Sequence, residues 1–188
     1  MPGPSSRSPV SEVRVRRVLA SDGERVRALR LEALDDPAAG MAFLETRSDA
    51  LERPRSFWDE RTVGAALSGS AAQFIAETAS TWVGTVTILI PDSDVPDYFG
   101  RLRPEGTALA VAVYVSPAYR GRGILDQLFE AAAQWARDRD CRELVLDVHL
   151  DNARAQAAYA RLGFASTGGT IDGQNGREIE MALDLAHG

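Results

Sequence analysis

Apolar and polar positions follow two periods along this chain, and the switches between them place its elements. Residues 109–115, LAVAVYV, form an unbroken apolar run that stops at Ser116-Pro117, as a buried strand ended by a turn does. Beyond it, Ile124, Leu125, Leu128, Phe129, Ala132, Trp135 and Ala136 recur at the 3.6-residue spacing of a helix that buries one face. Arg120-Gly121-Arg122-Gly123 therefore sits where a strand gives way to a helix.

Upstream, Val13, Val15 and Val18 predict a first strand. Ser21-Asp22 predicts the cap of a helix running to about residue 34, with Val26, Leu29 and Ala33 inward and Arg25, Arg27 and Arg30 on a solvated face. Asp35-Asp36-Pro37 ends that helix, and residues 38–47 read as a loop or short turn carrying Met41 and Phe43. A second helix is expected over 55–68, anchored by Phe57 and Trp58, followed by a hairpin of strands 74–77 and 82–90. Asp92, Asp94 and Asp97 lie in an acidic, proline-punctuated loop ahead of the central strand.

Downstream, residues 142–150 read as a strand with Leu144, Leu146, Val148 and Leu150 on one face. Asn152 starts a short helix to about residue 162, and Gly163 closes it. A strand begins at 164–166, Gly168-Gly169 and residues 173–176 read as turns, and 177–185 is a last strand with Ile179, Met181, Leu183 and Leu185 inward. Strands and helices in this order describe an α/β fold with a sheet of mixed direction.

Composition changes this picture little but excludes much. A chain of 188 residues, 45% hydrophobic and 26% charged, suits a single domain, here 11–188, behind a Pro/Ser/Gly-rich disordered tail over 1–10. The net charge of −6 argues against nucleic acid as a partner. A single cysteine, Cys141, rules out an internal disulfide and a cysteine-cluster metal site. No apolar run approaches the ~18 residues of a membrane span, and the first residues lack a signal-peptide core, so a cytoplasmic protein with no membrane partner is expected.

Chemistry concentrates at the arginine-glycine turn. The first N–H groups of a helix lack intrahelical partners, the macrodipole is positive there, and glycines let a ligand reach the backbone. With two arginines added, the turn predicts a site for a phosphate or pyrophosphate group. A second constellation lies at Asn152 and Tyr159, seven residues apart and so on one helix face. Taken alone, Asn152 is explained as a cap and Tyr159 as a core or rim aromatic.

Together the two constellations resemble the GNAT superfamily of acetyl-CoA-dependent N-acetyltransferases. The family's loop, Gln/Arg-x-x-Gly-x-Gly/Ala, matches at Arg120, Gly121, Arg122, Gly123 and Ile124, with Leu125 in place of the final small residue. Its later motif, Asn-x-x-Ala-x-x-x-Tyr followed by Gly-Phe, matches Asn152, Ala155, Tyr159, Gly163 and Phe164. The element order from Val13 to Leu185 fits as well.

The resemblance implies a GNAT fold: a mixed, mostly antiparallel sheet of six or seven strands flanked by about four helices. It implies acetyl-CoA as co-substrate, no metal, and direct attack of a primary amine on the thioester in a ternary complex. The amine would be that of a small molecule or of a peptide N-terminus. Backbone groups of Val113, Tyr114 and Val115 would pair with the pantetheine arm, and an N–H near Val115 would face the oxyanion. The pyrophosphate would lie on residues 120–125, including Leu125, whose bulk predicts weaker cofactor binding, and Asn152 would touch the cofactor. A phenol can protonate the leaving thiolate, which makes Tyr159 the candidate acid. The central strand offers no carboxylate, so Glu77 and His149, the latter oriented by Asp147, are the candidate bases beside a water relay. Asp92, Asp94 and Asp97 suggest a cationic acceptor, and family analogy suggests a homodimer.

Two other readings compete. Gly121-Arg122-Gly123 after a strand invites a dinucleotide fold, but Asp126 stands where that fingerprint needs glycine, and a P-loop needs Gly-Lys-Ser/Thr. The same fold could instead serve as a non-catalytic sensor of CoA or acyl-CoA.

Overall fold

A computed structural model describes residues 13–186, so the expected tail over 1–10 lies outside the described residues. The chain runs β1 (Arg14–Arg17), α1 (Gly23–Leu34), α2 (Arg47–Glu52), α3 (Arg55–Leu67), β2 (Ala71–Glu77), β3 (Trp82–Leu89), β4 (Thr107–Val115), α4 (Ile124–Arg137), β5 (Glu143–His149), α5 (Ala153–Arg161), β6 (Ala165–Gly173) and β7 (Gly176–Asp184). The seven strands form one sheet in the order β1-β2-β3-β4-β5-β7-β6. Each pairing is antiparallel except β4 with β5, which is parallel. The mixed, mostly antiparallel seven-stranded sheet is the one expected from the resemblance.

Two apolar cores hold the layers. Alternation along β5 turns Leu144, Leu146 and Val148 to the face covered by α4 and α5, where Leu128, Phe129 and Phe164 meet them. The opposite face, with Ile75 and Tyr114, packs under α1 and α3 through Val26, Leu29 and Trp58. The inward faces of α1 and α4 are those read from the sequence, but Arg30, expected on the solvated face of α1, is instead stacked over Phe43 with its side chain only 20% exposed.

Several local readings need correction. Residues 47–52 form α2, although RSDALE carries no helical apolar period. The helix is set by a reciprocal cap, in which Thr46 Oγ1 accepts the Asp49 N–H and Asp49 accepts the Thr46 N–H. Asp22 does not cap α1 with its side chain; Oδ2 instead accepts from the Leu19 N–H and from Arg16. Gly168-Gly169 is no turn, because β6 runs through it with a register shift between Ser166 and Thr170. Leu150 lies beyond the end of β5 and is exposed. Among the described residues no helix is long and apolar enough to cross a membrane.

Candidate functional site

The parallel pair sets the site. β4 and β5 share a ladder only over Thr107–Leu109 and Glu143–Val145, and no ladder joins the remainder of the two strands. Two adjacent strands that stop pairing leave backbone donors and acceptors free for an extended ligand. Near the end of β4 the ladder to β3 also shifts: Thr87 faces Val111 and Thr85 faces Tyr114, so one extra residue is accommodated and Ala112 takes φ +54°.

The arginine-glycine turn lies just beyond. Gly121 and Gly123 have φ of +73° and +75°, a conformation side chains rarely adopt. A Cβ on either would meet no atom within 4 Å, so space over the turn is open. The first bond of the α4 ladder runs from the Gln127 N–H to the Gly123 carbonyl, and among the described residues no acceptor meets the N–H groups of Gly121 to Leu125. Such a row of free N–H groups at a helix start suits a pyrophosphate. The Leu125 side chain is half-buried and packs against the core beneath α4.

The turn's arginines act differently from each other. Arg120 is ion-paired with Asp36 through Nη2 and donates from Nε to the Val115 carbonyl at 2.8 Å. Burial opposes ionisation of Asp36, but the Ala38 N–H and the Arg120 guanidinium outweigh it and hold the carboxyl below its usual range. Arg120 therefore braces the loop and occupies one acceptor of β4. Arg122 lies over the Tyr119 ring at 5.3 Å, and among the described residues no carboxylate pairs with it. It is the guanidinium available to phosphate.

Tyr159 stands half-buried on α5, edge-on to Phe129 and tilted against Phe164, with centroid separations of 5.8 and 5.9 Å. Its hydroxyl has no hydrogen-bond partner among the described residues, and burial raises its pKa above the usual phenol value. Ile124 belongs to the core cluster beneath α4, and Val113, Val115, Leu125 and Tyr159 pack against that same cluster. Asn152 caps α5 by accepting the Ala155 N–H at 3.2 Å.

The two candidate bases are not free. Glu77 receives Arg16 Nε at 2.8 Å and Trp82 Nε1 at 3.0 Å, and β3 separates its strand from β4. Hydrogen bonds from Arg16, against some burial and with help from Trp82, keep its carboxyl below the usual range, which makes it a weaker base. His149 is buried with both ring nitrogens used. Nδ1 accepts the Asp151 N–H, and Nε2 meets the Asn175 carbonyl, which only accepts, so the proton sits on Nε2. Asp147, expected to orient it, instead binds Arg101 and Tyr98.

On the face opposite α4, a cavity of about 310 Å³ opens against the bulged part of β4. Gln73, Thr85, Thr87, Ala112 and Tyr114 contribute from the sheet, and Phe43 and Trp58 from the helical layer. The buried Trp58 Nε1 has no hydrogen-bond partner among the described residues. The β6–β7 turn reaches across to this layer, where Asn175 Nδ2 donates to the Phe43 carbonyl at 2.9 Å. A carboxylate absent from the sequence reading meets Tyr114: Glu32 of α1 accepts from the Tyr114 and Ser116 hydroxyls. Burial, with Glu32 adding to it, pushes the Tyr114 phenol up to about 12. Helical periodicity places Glu32 on the solvated side of α1, so nothing in the sequence flagged it. The acidic loop gives no free trio, because Asp97 is fully buried between Arg101 and Arg103.

Comparison with known proteins agrees with this geometry. An aminoglycoside N(6')-acetyltransferase type 1 of Salmonella typhimurium is 30% identical over 71 residues, covering 38% of this chain and 49% of that protein. The chain thus spans about half the length of the curated relatives it first matches. A GNAT-family acetyltransferase from Streptococcus pneumoniae superposes with a TM-score of 0.73 at 18% identity, covering 92% of this chain and 99% of that one. An acetyltransferase from Salmonella typhimurium, solved with its cofactor acetyl-CoA, superposes with a TM-score of 0.66 at 19% identity, covering 95% and 96%. The model of the acetyltransferase (GNAT) family matches residues 30–164, from α1 through the residue after Gly163, and the chain belongs to that family.

Proposed function

We propose that this chain is an acetyl-CoA-dependent N-acetyltransferase that acts on a primary amine. The observation that carries the proposal is the succession along β4 of three features: the cavity against its bulge, the stretch unpaired with β5, and, just beyond the strand, the open Gly121–Gly123 turn with its free N–H groups. The turn suits the pyrophosphate, the unpaired stretch the pantetheine arm, and the cavity the acceptor. Acetyl-CoA supplies the activated thioester.

The amine nitrogen attacks the thioester carbon, a C–N bond forms, and the C–S bond breaks. Burial keeps the Tyr159 hydroxyl protonated at neutral pH, and this hydroxyl gives its proton to the thiolate as the C–S bond breaks, at some cost because burial also makes it a weaker acid than a free phenol. Before attack the ammonium must lose a proton, since only ~1 in 10³ alkylamines is neutral at pH 7. With Glu77 and His149 engaged elsewhere, that proton leaves by water or through the Tyr114 hydroxyl to Glu32. An acyl-enzyme is disfavoured: Cys141 is buried between α4 and β5, and burial raises its thiol pKa.

Calorimetric titration with acetyl-CoA, with NADH and ATP as controls, tests the cofactor half. Micromolar binding to acetyl-CoA alone is expected, and its absence refutes the assignment. Release of CoA thiol in the presence of primary amines tests the transfer half. Tight binding with no turnover on any amine would favour a sensor.

A further inference from the structure

Resting on that reading, we infer that the acceptor carries a carboxylate beside its amine, as an amino acid with an apolar side chain does. Charge in the 310 Å³ cavity supports this. Three guanidiniums line it, those of Arg30, Arg53 and Arg61, against one carboxylate, Glu45. Glu45 is already committed, with Arg30 at 3.1 Å and Arg53 at 3.7 Å. Among the described residues no carboxylate pairs with Arg61. The wall is therefore two positive charges in excess, within a chain whose net charge is −6. Arg30 cannot simply swing to solvent, because its guanidinium is stacked over Phe43 at 4.2 Å and its side chain is only 20% exposed.

Apart from the Gln73 amide, the remaining lining is apolar or hydroxylic, with Leu29, Phe43, Phe57 and Trp58 opposite Thr85 and Thr87. A volume equal to about ten water-sized groups fits a medium-sized amino acid, its side chain among the aromatics and its carboxylate on the arginines. The amine then points to the sheet, where Ala112 and Tyr114 mark the bulge. The acidic loop expected to draw a cation is not part of this wall. A more open depression of about 590 Å³ shares Glu45 and Arg53 and adds Asp49 and Glu52, so its sign is reversed. A cationic amine lacking a carboxylate would be held there, outside the cavity.

The test is a pair of calorimetric titrations on the full chain, with and without saturating CoA. Leucine, methionine and phenylalanine are compared with their carboxamides, which keep the amine and lose the negative charge. Each acid is expected to bind at least tenfold tighter than its amide. In the double variant Arg53→Gln/Arg61→Gln, which changes two exposed side chains and leaves Arg30 and Glu45 balanced, that preference should vanish while the amides are unaffected. Amides binding as well as acids would overturn the inference. So would an acid preference that survives the double variant, or no binding of any acid to a protein that binds CoA. If acetyl-CoA itself does not bind, the transferase reading fails, and acid-selective binding without CoA still decides the charge of the cavity.

Discussion

Gly176→Ala is the substitution whose cost follows most directly from the structure. Gly176 opens β7 with φ +130°, and a Cβ there would lie 2.3 Å from His149 Nε2. Forcing alanine into that backbone region costs about 1–3 kcal/mol. Relieving the clash means rotating a buried imidazole away from both its partners, the Asp151 N–H at 3.1 Å and the Asn175 carbonyl at 3.1 Å. Each lost bond is worth about 0.5–1.5 kcal/mol, so the substitution should destabilise by roughly 2–6 kcal/mol in all. Urea unfolding of the single variants Gly176→Ala and His149→Ala and of the double variant separates the contributions. The imidazole is absent from the double variant, so its loss should fall short of the sum of the singles by about 1–3 kcal/mol. Because Asn175 also holds the Phe43 carbonyl, Gly176→Ala should weaken acceptor binding and leave acetyl-CoA affinity intact. Additivity within about 0.5 kcal/mol would show that His149 does not oppose a side chain at 176, and the reasoning would be wrong.

Three further outcomes are expected. Tyr159→Phe should lower kcat by about 10²-fold or more with acetyl-CoA affinity unchanged. Since burial raises the folded pKa of this phenol, wild-type kcat should show no alkaline loss from Tyr159 below pH 10, and a limb that disappears in the variant would contradict this. For Asp97 and Glu180, burial raises the pKa, but hydrogen bonds and nearby arginines outweigh it and hold both carboxyls below their unfolded values. Their stabilisation is therefore full above those unfolded values and lost as pH falls through the folded ones. Asp97→Asn should cost about 3 kcal/mol at neutral pH and flatten the decline in urea midpoint below pH 5. Leu125→Ala should cost about 1–2 kcal/mol of stability and leave acetyl-CoA affinity within about twofold, because the half-buried side chain packs against the core; a tenfold gain in affinity would place the leucine over the phosphates instead.

Much of the architecture was written in local pattern. The run at 109–115, the helix period from Ile124 to Ala136 and the alternation in β7 each fix which side chains are buried, because a strand or helix with one apolar face has one way to bury it. The Arg120–Gly123 turn and the Asn152–Tyr159 spacing were legible for the same reason: both depend on residues close in sequence. Short elements held by side chains rather than by period were not, as α2 and the glycine-containing β6 show.

The sequence by itself determined the α/β order, the glycine-arginine turn at the strand-to-helix junction and the Asn152–Tyr159 helix spacing, all consequences of near-neighbour geometry, and with them the resemblance to the family. Only the tertiary structure decided which charges are available. It spends Arg120 on Asp36, Glu77 on Arg16, His149 on two backbone groups and Asp97 on two arginines, while it brings Glu32 to Tyr114 and sets Arg30, Arg53 and Arg61 around one cavity. The free energy of a charge depends on what faces it across the fold, and those partners lie tens of residues away along the chain.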